Sequence, residues 1–144
     1  PELAGPGGED KGKTLAQILL TPTRIYADSI VRTMRKYKVK QVISGMAHIT
    51  GGGLADNLVR ALNEKVDARI DAGAWPTLPV FKFLQKHGNI AEPEMRRVFN
   101  MGIGYCVIVK PTFADAVAER LTKCGEQVYT IGKIVKGTGK AIVQ

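Results

Sequence analysis

The sequence predicts an α/β fold, a layered sandwich in which short strands alternate with amphipathic helices. Three observations carry that expectation. Tyr105–Val109 is an unbroken apolar run, the mark of a strand covered on both faces. Leu54, Leu58, Ala61 and Leu62 fall at i, i+4, i+7 and i+8, the spacing of an amphipathic helix. Between a strand over residues 39–43 and that helix lies Thr50-Gly51-Gly52-Gly53, a strand-to-helix turn. At 144 residues the chain makes one domain, long enough to bury about two-thirds of its unfolded surface.

The elements follow in order. Residues 1–13 are rich in Gly and Pro and are expected to be a flexible linker from something upstream, with the folded domain over 14–144. Thr14 is placed to cap a short helix carrying Leu15, Ile18 and Leu19, which ends near Thr21 because Pro22 disfavours helix before it. An extended piece over 23–26 leads to a helix over 27–37 with Ile30, Met34 and Tyr37 on one face. After the glycine turn the helix runs to about Asn63, and residues 67–71 alternate Ala68 and Ile70 with charges, a period-2 strand. A turn over 72–76 brings in Trp75, expected in the core or an interface.

Pro79 suits the first turn of a helix ending at His87-Gly88, where His87 is a polar surface residue. A short helix over 93–98 precedes the loop Phe99-Asn100-Met101-Gly102-Ile103-Gly104. Beyond the apolar strand, Phe113, Val117 and Leu121 mark a helix closed by Gly125. Residues 128–135 form a strand in which Gly132 signals a bulge or a close approach, and 137–139 turn a hairpin into residues 141–143.

Composition narrows the function. Apolar residues make up 44% and charged residues 24%, values of an ordinary globular protein. No apolar run approaches the roughly 20 residues of a membrane helix, nor does the start read as a signal peptide. Cys106 and Cys124 lack metal-ligand spacing and point to a reducing cytoplasm, with Cys106 in the core and without a nucleophilic role. His48 and His87 are far apart in sequence, which argues against zinc. The net charge of +8 suits an anionic ligand or an acidic partner. Nucleic acid is disfavoured, because Lys and Arg are dispersed except at Arg32, Arg35, Lys36, Lys38 and Lys40, a solvated helix face, and aromatics are few.

The glycine turn is the richest segment. Gly51, Gly52 and Gly53 permit positive φ and close approach, and their N–H groups cradle an anion such as phosphate. Thr50 adds a hydroxyl and His48 a titratable ring. The same turn also serves to pack a helix against a sheet, and it matches neither the dinucleotide fingerprint nor the P-loop.

Gly45-Met46-Ala47-His48-Ile49-Thr50-Gly51-Gly52-Gly53-Leu54, then Ala68-Arg69-Ile70-Asp71, Trp75-Pro76 and Phe99-Asn100-Met101-Gly102-Ile103-Gly104, resemble the C-terminal domain of the aminoimidazole ribonucleotide synthetases. These are the phosphoribosylformylglycinamidine cyclo-ligases of purine biosynthesis. Gly12-Lys13-Thr14-Leu15 and Leu20-Thr21-Pro22-Thr23-Arg24-Ile25-Tyr26 belong to the same resemblance, which runs from about residue 12 to 135. It implies a layered α/β domain with a mixed sheet, partly ferredoxin-like. It further implies an enzyme that spends ATP with magnesium to activate the formyl-amide oxygen of formylglycinamidine ribonucleotide before an intramolecular nitrogen closes the imidazole ring. Much of the nucleotide and metal machinery, and the principal contact of a homodimer, would belong to an N-terminal domain outside this sequence. This domain alone is therefore expected to be inactive and to carry no metal ligands.

On this resemblance Thr50, Gly51, Gly52 and Gly53 contact phosphate, and His48 is the electrostatic or proton-transfer group at the amide oxygen. A hydrogen-bonded core histidine is the other reading of His48. Asn100, with Met101 and Gly102, is the second binding element, its amide suited to a formylglycinamidine, although a turn Asn looks the same. Asp71 is placed to accept from a ribose hydroxyl. Rival readings are a sister enzyme (formylglycinamidine ribonucleotide amidotransferase, selenophosphate synthetase, thiamine-monophosphate kinase or a hydrogenase maturation protein) or a non-catalytic binding module.

Overall fold

The structure, a computed structural model, describes residues 12–37 and 41–144. Most of the expected linker, Val39 and the lysines at 38 and 40 lie outside the described residues. The chain runs α1 (Leu15–Leu19), α2 (Ala27–Lys36), β1 (Ile43–His48), α3 (Gly53–Leu58), β2 (Val66–Ile70), α4 (Pro79–Gly88), α5 (Glu92–Val98), β3 (Tyr105–Val109), α6 (Ala114–Lys123), β4 (Gly132–Lys136) and β5 (Ala141–Val143).

Several boundaries follow from local chemistry. Thr14 and Gln17 form a reciprocal capping box at the start of α1. Pro79 opens α4, where its missing N–H costs nothing. Gly88 is the last helical residue there, and Asn89, at φ +47°, makes the left-handed exit expected of the glycine. In α2 the buried face is Ser29, Ile30 and Thr33, while Met34 is exposed, contrary to the periodic reading. The helix after the glycine turn is shorter than expected, α3 passing into a single 3-10 turn over Val59–Ala61.

Among the described residues two sheets carry the architecture. β1 and β3 pair antiparallel, with a register shift between Ile43 and Gly45. This pair lies between two apolar cores. Ala47, Cys106 and Ile108 pack with Leu54, Leu58, Ala68, Ile70 and Trp75, whereas Tyr105, Val107 and Val109 pack with Ile30, Val117 and Leu121. β3 is thus covered on both faces, as its continuous apolar run predicts. Burying Val117 and Leu121 contributes about 1.5–3 kcal/mol each.

The second sheet is mixed, in the order β4-β2-β5. β2 pairs antiparallel with β4 and parallel with β5. The expected hairpin between the last two strands is therefore replaced by a crossover past the start of β2. Its cause is Asp67, whose Oδ1 accepts from the N–H groups of Thr138 at 2.7 Å and Lys140 at 2.8 Å. Gly132 is a close approach, since a Cβ there would lie 2.1 Å from the Arg69 carbonyl oxygen.

Candidate functional site

β1 was expected over residues 39–43 but occupies Ile43–His48, so Ser44, Gly45, Met46 and Ala47 are strand residues. Pairing with β3 overrides their weak strand propensity. The consequence is that His48 is the last residue of the strand, opposite Tyr105, and the turn begins two residues later. His48 is exposed, which sets aside the core-histidine reading. Its ring lies 5.9 Å from that of Tyr26 and 6.0 Å from that of Tyr105.

The three glycines of the turn have separate roles. Gly53, at φ +67°, is buried, and a Cβ there would sit 2.1 Å from the Arg96 carbonyl oxygen. It packs α3 against the end of α5. Gly52 is the helix N-cap at φ +94°, a conformation L side chains rarely adopt. Gly51 is exposed with open space where a side chain would be.

The buried Asn57 organises the turn from beneath. Its Nδ2 donates to the carbonyls of Gly53 at 2.7 Å, Gly51 at 3.2 Å and Thr50 at 3.4 Å. The Thr50 hydroxyl reaches Asn57 Oδ1 at 3.4 Å. Carbonyls are therefore held inward. Among the described residues no protein group accepts from the N–H groups of Gly51, Gly52 or Gly53. Asn57 was missed from the sequence, although a polar residue between Leu54 and Leu58 on a buried face is a readable signal.

The loop over residues 99–104 abuts the turn, because the Ile49 N–H donates to the Gly104 carbonyl at 2.9 Å. Asn100 Oδ1 accepts from the Gly102 N–H at 3.0 Å, an Asx turn that leaves its amide NH2 as the group still to donate. Met101 has φ +51°, unusual for a side chain of its size, and is buried. Its carbonyl accepts from Trp75 Nε1 at 2.9 Å, so Met101 shapes the loop from the core side. Gly102 is exposed at φ +101°. Asp71 is exposed, and its Oδ1 is engaged by the Gly73 N–H at 2.8 Å within its own turn.

Cys106 is buried, and burial pushes its thiol up to about 12, so it is a core residue that forms no thiolate at neutral pH. His87 is exposed in the last turn of α4, its ring 4.2 Å from that of Phe83. Among the described residues no three His, Cys, Asp or Glu side chains converge to hold a metal. No helix of the described residues is long and apolar enough to cross a membrane. A cavity of about 440 Å³ opens beside the site, with Gly102, Gly104, Tyr105 and Tyr26 among its lining residues.

The family described as "AIR synthase related protein, C-terminal domain" matches residues 3–144. Curated relatives named phosphoribosylformylglycinamidine cyclo-ligase, from Burkholderia cenocepacia, Burkholderia multivorans and Burkholderia vietnamiensis, are each 51% identical over 123 residues. The alignment covers 85% of this chain and 34% of each relative. The chain therefore spans about a third of the length of the curated relatives it matches.

Proposed function

The chain belongs to the AIR synthase related C-terminal domain family, and from that premise we propose that it is the C-terminal part of a phosphoribosylformylglycinamidine cyclo-ligase. In this reading a complete enzyme converts formylglycinamidine ribonucleotide to aminoimidazole ribonucleotide with consumption of ATP, in the cytoplasm and as a homodimer. Residues 1–13 link this domain to its N-terminal partner domain. ATP and magnesium are held largely by that partner.

The observation that carries the reading is the open N–H face of the glycine turn beside an exposed imidazole. Gly51 and Gly52 present N–H groups to a phosphate of one of the two phosphorylated substrates. α3 is short, so these N–H groups matter more than any helix dipole. Thr50 adds a hydroxyl at the rim. Gly53 keeps the turn seated on α5 and reaches the ligand through its N–H alone. His48 faces the formyl-amide oxygen, as a cation or a proton donor, when phosphate leaves from it. Asn100 donates its amide to the formylglycinamidine arm, and Gly102 lets that arm approach the backbone. Met101 sets the loop's shape, and Asp71 receives a ribose hydroxyl on its free oxygen.

His48→Ala in the complete enzyme is expected to lower kcat by about 10²-fold or more, with the KM for ATP within about twofold of wild type. An unaltered kcat removes His48 from the mechanism.

A further inference from the structure

Tyr26 precedes α2, and the path of its backbone is fixed by a small polar network. Arg24 Nε lies 2.9 Å from Glu126 Oε2, and Arg24 Nη2 donates to the Gly125 carbonyl at 2.8 Å. Glu126 also accepts from Ser29 Oγ at 2.5 Å. These bonds tie the segment before α2 to the chain just beyond α6. The Tyr26 ring is thereby held edge-on to His48 and 5.3 Å from the ring of Tyr105.

The hydroxyl of Tyr26 lies over Gly104, where a Cβ would come within 1.9 Å of the oxygen. Any side chain at 104 would displace the phenol. Both residues line the cavity that also takes in Gly102. Among the described residues no protein group hydrogen-bonds this hydroxyl. The phenol is half-buried and its hydroxyl is still reached by solvent, so it is a polar tip open to the cavity and free to donate to a ligand there. Burial raises its pKa, with Arg24 opposing and Glu126 adding to the shift, so the group is a neutral donor near pH 7.

We propose that Tyr26 is a further substrate-contacting residue, its hydroxyl donating a hydrogen bond to an oxygen of the formylglycinamidine ribonucleotide bound against His48. This rests on the cyclo-ligase reading and adds to it a residue from a separate segment of the chain. Tyr26→Phe removes only the hydroxyl and keeps the ring contacts.

The test is the steady-state kinetics of Tyr26→Phe in the complete enzyme, with both substrates varied and the melting midpoint measured. The proposal expects the KM for the ribonucleotide to rise about fivefold, with the KM for ATP and the melting midpoint unchanged. Unchanged kinetics overturn it. So does an equal rise in both KM values, or a lowered melting midpoint, each of which assigns Tyr26 a structural role. A wild-type enzyme without ring-closing turnover overturns the cyclo-ligase reading and this contact together. Wild-type turnover with a silent Tyr26→Phe overturns the contact alone.

Discussion

Two glycine-rich segments of this chain present backbone N–H groups, and only one of them has its anion built in. At the crossover between β4 and β5, the N–H groups of Thr138 and Lys140 close on the Asp67 carboxylate. Gly137 is glycine because a Cβ there would fall 2.0 Å from the Asp67 carboxyl carbon. At the turn before α3, Asn57 ties the carbonyls inward and the N–H groups of Gly51, Gly52 and Gly53 meet no acceptor among the described residues. The first segment shows what such backbone does with an oxyanion when the fold provides one. We propose that the second does the same for the anion of a ligand. A closed nest fixes topology, and an open one is available to a ligand.

The comparison can be broken by substitution, and the effects fall in a definite order. Gly53→Ala should be the most damaging, because it combines a positive φ with a Cβ driven into the Arg96 carbonyl. A loss of about 3 kcal/mol or more is expected in urea unfolding. Asn57→Ala should follow, at about 2–3 kcal/mol, since it leaves the turn's carbonyls without their buried donor.

Asp67→Asn sharpens the other half of the contrast. The N–H groups of Lys140 and Thr138 hold the Asp67 carboxyl below its ordinary value. Its contribution is therefore complete above the unfolded value of about 4 and is lost as pH falls through the lower folded one. Wild type should lose more stability than Asp67→Asn between about pH 5 and pH 2, read as the difference of their urea midpoints. Identical profiles would mean that the crossover does not depend on the charge. Gly51→Val should be nearly silent in stability, within about 0.5 kcal/mol, because open space surrounds that position. Its effect should appear only in ligand binding. Gly52→Val is a poorer probe, as its φ of +94° mixes strain with any loss of affinity.

Helix boundaries were legible wherever a local cap announced them, as at Thr14 and Pro79. β1 was displaced because Ser44, Gly45 and Met46 carry no strand signal of their own; a partner some sixty residues downstream makes them a strand. The hairpin reading of residues 137–139 failed for the same kind of reason, since Asp67 captures the turn from a distant strand. His48 and the glycines stood out by type and spacing. The division of labour among Gly51, Gly52 and Gly53 did not, because it depends on where Arg96 and Asn57 arrive in space. Tyr26 was legible only as one letter of a longer resemblance, because its meaning lies in Gly104.

The most direct measurement is the amide spectrum of the isotopically labelled 144-residue chain, titrated with formylglycinamidine ribonucleotide and separately with ATP-magnesium. The account predicts that one of these ligands moves the Gly51, Gly52 and Asn100 signals in wild type and leaves the folded Gly51→Val unmoved. The ligand that does so identifies the phosphate held by the turn. If the ligand that moves the wild-type signals moves those of Gly51→Val alike, the turn is a packing device and its open N–H groups have no part in binding.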